Sequence, residues 1–194
     1  METIGVAGNL SGSGCTHAAI SIAGYKAGVC GEKTAYIDYT KKHEIESLAL
    51  LFEDRLVNKE QGFTLNGIDF YFGLSEQKLL SVWKQHYGCI VFDFGTSWKE
   101  KNLQREYARC TRSFLVCDVC DWKKLEFLQD VEQLQELPEL SVEYILSGSG
   151  WEDHKWVRQK TGIAAYSLGR IADPFQLEKK EVLRLRELFT GKKR

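Results

Sequence analysis

A glycine-rich segment near the start of the chain constrains the fold more than any other feature. Residues 8–17 read Gly-Asn-Leu-Ser-Gly-Ser-Gly-Cys-Thr-His and follow a short apolar run, Ile4 to Ala7. Small and apolar residues then continue from Ala18 to Tyr25, a composition that suits a buried helix. A strand, a glycine-rich loop and a helix in this order are typical of phosphate-binding loops, in which backbone N–H groups and a helix N-terminus surround an anion.

The loop is similar to the Walker pattern G-x-x-x-x-G-K-[ST]. We take Gly8 as the first position, Ser13-Gly14 as the residues before the lysine, and Thr16 as the last; Cys15 then replaces the lysine. A tight strand–helix turn would use the same glycines and serines, and a lone His17 would equally suit a surface or packed position. The predicted phosphate-binding residues are Gly8, Gly12, Ser13, Gly14, Cys15, Thr16 and His17.

Strand-like and helix-like runs alternate along the whole chain. Largely apolar strands that alternate with helices predict an α/β fold, a doubly wound and mainly parallel sheet with helices on both faces. A chain of 194 residues can bury one sizeable core, so we expect a single domain, 1–194. Strands are expected at 4–7, 33–38, 89–93, 113–117, 142–146 and 164–168, and helices at 43–54, 75–87, 122–136 and 177–189.

Several local signals refine this outline. Asn66-Gly67 lies between two short apolar runs and predicts a two-residue β-hairpin turn. Ser75 is a suitable N-cap for the helix that follows it, and Pro138 is expected to end the helix before it. The segment 147–150, Ser-Gly-Ser-Gly, echoes the first loop, although we favour a flexible connection there.

Composition narrows the cellular context and the partners. The net charge of −1 and the pI near 6.4 give no reason to expect nucleic acid as a partner. The start of the chain has no signal-peptide pattern, and no apolar run approaches the roughly 20 residues of a spanning helix. We therefore expect a cytoplasmic protein in a reducing compartment, with its six cysteines unpaired. The lone pair Cys117 and Cys120 is too small a set for a structural zinc site.

Polar residues at the ends of the predicted strands add to the similarity that the loop shows to phosphate-binding proteins. Taken in order, these positions resemble the MinD/ParA family of deviant P-loop ATPases, which includes the CpaE/TadZ-like pilus-assembly proteins. That family has a K-G-G-x-G-K-T loop, to which residues 10–16 correspond, and aspartates at two later strand ends. The residues that carry the resemblance are Leu10 to Thr16, Asp38 after the second strand, Asp93 after Cys89-Ile-Val-Phe, and Asp173-Pro174-Phe175.

The resemblance implies a cofactor and a role for each of these positions. It implies ATP or ADP with Mg²⁺, held by the loop and, beside the base, by Pro174 and Phe175. Asp38 and Asp93 would be the catalytic aspartates, and Thr16 and Asp93 the residues that hold the metal. A homodimer is a possible assembly, and other protein partners are not specified by the sequence.

Two departures from the family pattern weaken the expected activity. Cys15 replaces the lysine that reaches the β- and γ-phosphates, and Leu10 replaces the second lysine, which crosses a dimer interface. Because a single catalytic cation is worth about 10³-fold or more in phosphoryl transfer, we expect very slow hydrolysis or none. The leading hypothesis is a degenerate P-loop protein, a pseudo-ATPase that acts through protein–protein contacts.

Two other functions compete with this hypothesis. An active ATPase switch would need other cations in the site, and Lys41, Lys42 and Lys99 follow the two aspartates closely enough to be candidates. A binding module for a different anion would use the same loop amides without a nucleotide.

Two further expectations concern the ends of the chain. Cys15 would be the most reactive cysteine if its loop is exposed, because the partial positive charge at a helix N-terminus lowers the pKa of a thiol. The closing segment 177–189 has apolar residues at helical spacing among acidic and basic ones, and a basic tail follows it. We expect this helix to pack on the core rather than to anchor the protein stably to a membrane.

Overall fold

The described residues form one eight-stranded sheet in the order β3-β4-β2-β5-β1-β6-β7-β8. The structure is a computed structural model and describes residues 1–42, 44–51, 62–137 and 140–191. Neighbouring strands are parallel throughout, except for the antiparallel pair β3 and β4. The strands are β1 Glu2–Gly8, β2 Thr34–Asp38, β3 Gly62–Leu65, β4 Ile68–Phe72, β5 Cys89–Gly95, β6 Arg112–Cys117, β7 Val142–Leu146 and β8 Tyr166–Ser167.

Helices cover both faces of this sheet, so the predicted doubly wound α/β fold is confirmed. One face packs against α1, α2 and α7, and the other packs against α3, α4, α5 and α6. Side chains alternate between these two cores along each strand, which is why the strands are apolar throughout. The helices are α1 Cys15–Gly24, α2 Glu44–Ala49, α3 Glu76–Trp83, α4 Lys101–Ala108, α5 Lys124–Gln135, α6 Trp151–Thr161 and α7 Lys179–Thr190.

The hairpin and the helix cap that local sequence predicted are both present. Asn66 and Gly67 have φ values of 51° and 76°, the left-handed pair that a tight β3–β4 hairpin turn requires. At the start of α3, the Ser75 hydroxyl accepts a hydrogen bond from the backbone N–H of Lys78.

Other boundaries differ from the sequence-based expectation. The helix α4 was not predicted, because it is strongly polar and Tyr107 is its one buried side chain. The last strand is only two residues long, and α3 ends at Trp83 rather than near residue 87. The predicted helix 43–54 corresponds to α2, but His43 and residues 52–54 lie outside the described residues, as does Pro138.

The closing helix α7 uses its apolar side to complete the core, as expected. Leu185 and Leu188 are fully buried, and the ring of Phe189 stacks on Tyr25 with centroids 5.4 Å apart. Across the described residues, none of the helices has the length and apolar character needed to cross a membrane.

Candidate functional site

The glycine-rich loop joins β1 to α1, as the sequence predicts, and glycine supplies its backbone conformation. Gly12 and Gly14 have φ values of 81° and 86°, in the left-handed region that other residues rarely adopt. Gly14 is also the N-cap of α1, so the N–H groups of the first turn point out of the helix end beside the loop. The Ser13 side chain is buried, and its hydroxyl has no hydrogen-bond partner among the described residues.

The spacing of this loop corrects our assignment of its first position. Five residues separate Gly8 from Gly14, whereas the Walker pattern has four between its two glycines. Counting back from Gly14-Cys15-Thr16, the first position is therefore Asn9. Counting forward from Gly8 instead places Gly14 at the lysine position. In both registers the loop lacks the lysine.

Asp93, at the carboxyl-terminal end of β5, is the centre of a buried hydrogen-bond network. One carboxyl oxygen accepts from the Cys15 thiol at 3.2 Å and from the Gly95 backbone N–H at 2.9 Å. The other accepts from the Tyr36 hydroxyl at 2.8 Å. The Asp93 side chain has no exposed surface, and three protein donors hydrogen-bond to its two oxygens.

The condition for a reactive Cys15, an exposed position, is not met, because the residue is only 7% exposed. Burial raises the pKa of the Cys15 thiol well above its usual value, and the adjacent Asp93 carboxyl group raises this pKa further. These two effects outweigh the N-terminus of α1. All six cysteines carry free thiols, and Cys30 is the exposed one.

Asp38 lies beside Asp93, because the two residues end neighbouring parallel strands in the same register. Its side chain is 8% exposed, and one carboxyl oxygen accepts a hydrogen bond from the Thr40 backbone N–H at 2.7 Å. Burial raises the pKa of Asp38 to about 6, and the charge of Asp93 adds to the increase.

The raised pKa of Asp38 predicts how its contribution to the free energy of unfolding changes with pH. The folded state favours protonated Asp38, so the stability contribution of this group is complete below pH 3.8 and is lost as pH rises to about 6. The shift of about two units corresponds to about 3 kcal/mol at most. We expect Asp38→Asn to raise the free energy of unfolding at pH 7.5 by about 1–3 kcal/mol, with a smaller gain at pH 4.5, in urea titrations. The exposed Glu152→Gln variant is the control, and equal gains at both pH values would contradict the assignment.

A cavity of about 650 Å³ opens at the carboxyl-terminal edge of the sheet, next to the loop. This is the edge where ligands bind in doubly wound sheets, and the volume suits a small-molecule ligand. Its walls come from the loop and first turn of α1, the segments after β2, β5 and β7, and the segment after β8. The lining residues include Leu10 to Ala18, Thr40 to Lys42, Glu44, Gly95 to Ser97, Glu100, Ser147, Gly148 and Leu168 to Ile171.

The structure brings only part of the predicted site to this cavity. Gly12, Ser13, Gly14, Cys15, Thr16 and His17 line it, whereas Gly8, Asp38 and Asp93 do not. The carbonyl of Gly8 accepts a hydrogen bond from the Trp98 indole, at 2.9 Å.

The predicted base-binding segment lies elsewhere. Pro174 is buried, and the ring of Phe175 packs on Phe70 with centroids 5.9 Å apart. The backbone carbonyl of Phe175 accepts a hydrogen bond from the hairpin residue Asn66. The cavity-lining residues that are closest in sequence to this segment are Leu168 to Ile171, which directly follow β8.

The segment 147–150 is part of the site and not merely a connection. Ser147 and Gly148 line the cavity, and a Cβ atom on Gly14 would lie 2.9 Å from the Ser147 hydroxyl oxygen. The second glycine-serine segment therefore packs directly against the first.

The cations around the cavity differ from the expected set. Lys41 and Lys42 line it, but Lys41 forms an ion pair with Glu100 at 2.6 Å. Lys99 pairs with Asp130 at 2.5 Å and does not line the cavity. Sequence reasoning missed Arg170, which lines the cavity; its position just after the last predicted strand was the available signal.

A separate group of possible metal ligands lies at the opposite, amino-terminal edge of the sheet. Glu2, Glu32 and Cys89 place their ligand atoms within 4.8 Å of one another. The ammonium group of Lys26 pairs with both carboxylates, at 2.5 Å to Glu2 and 3.4 Å to Glu32. Burial raises the pKa of Cys89 to about 12, so this group is better explained as an ion-pair cluster than as a metal site.

Comparison with known proteins identifies the architecture. The MinD protein in the MinC:MinD cell division complex of Aquifex aeolicus is similar over 99% of this chain and 96% of that one, with a TM-score of 0.73 and 13% identity. The chain has the fold of the MinD/ParA-type P-loop ATPases. The resemblance stated from sequence is thereby confirmed at the level of the fold.

Two other solved structures share the MinD/ParA-type fold. A plasmid partition protein of Borrelia burgdorferi B31 bound to AMPPNP has a TM-score of 0.64 and 17% identity, with 98% of each chain covered. Cobyrinic acid a,c-diamide synthase of Mycobacterium smegmatis, with bound ADP and magnesium, has a TM-score of 0.64 and 10% identity over 99% of this chain and 97% of that one. No protein-family model matches the chain, and neither does any curated protein sequence.

Proposed function

We propose that the protein binds a nucleotide, ATP or ADP, in the cavity beside residues 9–16 and does not hydrolyse it at a useful rate. The observation that carries this proposal is the loop itself. It keeps the backbone of an anion site, with Gly12 and Gly14 in left-handed conformations at the start of α1. At the position of the catalytic lysine it has a short thiol that is directed to Asp93.

The structural neighbours support a nucleotide as the ligand. One of them holds AMPPNP and another holds ADP with magnesium. The cavity volume of about 650 Å³ is within the range of small-molecule sites. The alternative is that the same loop amides bind a different anion. A direct measurement of nucleotide binding distinguishes the two ligands.

We further propose that the protein acts as a regulatory or scaffolding module in the cytoplasm, as a single domain, 1–194, through contacts with other proteins. Two large, exposed aromatic side chains support this role. Trp122 precedes α5 and is 81% exposed, while Trp151 begins α6 and is 70% exposed. Exposed tryptophans are enriched at protein interfaces. The cell-division and plasmid-partition neighbours favour a role in positioning or partitioning, and a homodimer is one possible assembly.

An active ATPase switch is the second candidate function. Lys42 and Arg170 line the cavity and form no ion pair with the described residues, so they are the cations that such an enzyme would use. Neither residue lies at the loop position that the missing lysine would occupy. For this reason we favour nucleotide binding without hydrolysis over an active ATPase.

Phosphate release from ATP separates the two candidates. We expect wild-type turnover equal to that of Thr16→Val, because losing the loop lysine costs about 10³-fold or more. Thr16 lines the cavity, and valine keeps its shape without the hydroxyl. Clear wild-type turnover that disappears in Thr16→Val would favour the active switch and overturn the pseudo-ATPase.

A further inference from the structure

The cavity offers a poor site for magnesium, and this follows from the position of Asp93. Mg²⁺ in nucleotide sites is usually held by one or two carboxylates together with phosphate oxygens and several waters. Asp93 instead accepts three hydrogen bonds from the protein, at 2.8–3.2 Å: the Cys15 thiol and the Gly95 N–H donate to one oxygen, and the Tyr36 hydroxyl donates to the other. The carboxyl group is fully buried and does not line the cavity, so a metal ion in the cavity could reach it only if this network rearranged.

Cys15 is the residue that separates the Asp93 carboxyl group from the cavity. The residue is 7% exposed and lines the cavity, while its thiol donates a hydrogen bond to Asp93. The residue therefore stands between the cavity and the carboxyl group, which has no exposed surface. A thiol is also a poor ligand for Mg²⁺, which prefers oxygen.

The other acidic groups do not replace Asp93. In the described part of the chain, the carboxyl side chains that line the cavity are those of Glu44 and Glu100. Glu100 is paired with Lys41, and Glu44 is exposed in the first turn of α2. Among the loop residues, the Thr16 hydroxyl is the remaining oxygen expected to hold a metal, and it carries no charge.

Positive charge is available on the protein instead. Lys42 and Arg170 come from opposite walls of the cavity, after β2 and after β8, and neither forms an ion pair with the described residues. The loop amides and the N-terminus of α1 add partial positive charge between them. The planar guanidinium of Arg170 is suited to bidentate contact with phosphate oxygens.

We propose that this cavity binds the nucleotide free of Mg²⁺, with Lys42 and Arg170 supplying the countercharge that the metal provides elsewhere. This inference rests on the proposed nucleotide site. The ligand class is thus the free diphosphate of ADP, or a comparable polyphosphate anion, rather than its magnesium complex. Metal-free binding is consistent with a module that recognises a nucleotide without carrying out phosphoryl transfer.

Calorimetric titration of the full chain with ADP tests the proposal, once in excess Mg²⁺ and once in EDTA. We expect the Kd in EDTA to be equal to or lower than the Kd in Mg²⁺. An affinity that falls by about tenfold or more in EDTA would overturn metal-free binding but leave the nucleotide site intact. Absence of binding under both conditions would overturn the nucleotide site, and this inference with it.

Substitution of the two cations tests the countercharge separately. In EDTA, we expect Lys42→Gln and Arg170→Gln each to weaken ADP binding by about tenfold. The matched control is Arg158→Gln, an exposed arginine of α6 that does not line the cavity and should bind ADP as the wild type does. Unchanged affinity in both cavity variants would contradict the assignment of these residues, and thermal unfolding of each variant checks that it is folded.

Discussion

Asp93→Ala is expected to lower the free energy of unfolding by about 3 kcal/mol or more. The substitution removes the acceptor for the Cys15 thiol, the Tyr36 hydroxyl and the Gly95 N–H. Each buried donor left without a partner costs about 1–3 kcal/mol, and the small cavity adds to the loss. Part of this cost is offset because a carboxyl group no longer has to be desolvated. Urea denaturation followed by circular dichroism measures the change.

Two further variants separate the network from simple loss of volume. Asp93→Asn keeps one acceptor oxygen and the size of the side chain, and the Tyr36 hydroxyl can accept as well as donate. We therefore expect Asp93→Asn to cost only about 1 kcal/mol. Tyr36→Phe should destabilise the wild type but have little effect in the Asp93→Ala background. Equal losses for Asp93→Ala and Asp93→Asn, or additive effects with Tyr36→Phe, would show that these hydrogen bonds do not hold the site together.

Gly14→Ala is expected to weaken ADP binding by at least about tenfold, with a loss of about 1–2 kcal/mol in the free energy of unfolding. Gly14 has a φ of 86°, which is strained for alanine. The added Cβ would also lie 2.9 Å from the Ser147 hydroxyl oxygen, so the Ser147 side chain at the facing wall would have to move. Calorimetric titration with ADP and urea denaturation measure the two effects.

The same loop supplies a matched control for this prediction. Gly12 has a φ of 81°, but apart from its chain neighbours no heavy atom of the described residues lies within 4 Å of the position of an added Cβ. Gly12→Ala thus introduces backbone strain without the contact, and we expect a smaller loss of ADP affinity. Adding Ser147→Ala to Gly14→Ala should recover part of the binding. Equal losses at Gly12 and Gly14 with no rescue would mean that strain alone, and not the packing of the two walls, controls the site.

Features that depend on nearby residues were predictable from the sequence. The apolar run of β5, the Asn66-Gly67 turn and the Ser75 cap each follow from a few adjacent side chains and their backbone preferences. The order of strand, glycine-rich loop and helix likewise predicted that residues 8–17 join β1 to α1 at the carboxyl-terminal edge of the sheet, although the first position of the loop needed correction. The helix α4 escaped prediction because its residues are strongly polar and only one of its side chains, Tyr107, is buried.

What the tertiary structure decided is how these segments meet. The sequence by itself determined the fold class and the absence of a lysine at the loop, and it identified Asp93 as a strand-end residue. Only packing could show that Cys15 is buried against Asp93, 78 residues away, or that Phe175 lies on Phe70 and not beside the cavity. Burial and hydrogen-bond partners across such separations depend on the whole sheet and its covering helices, and no local pattern encodes them.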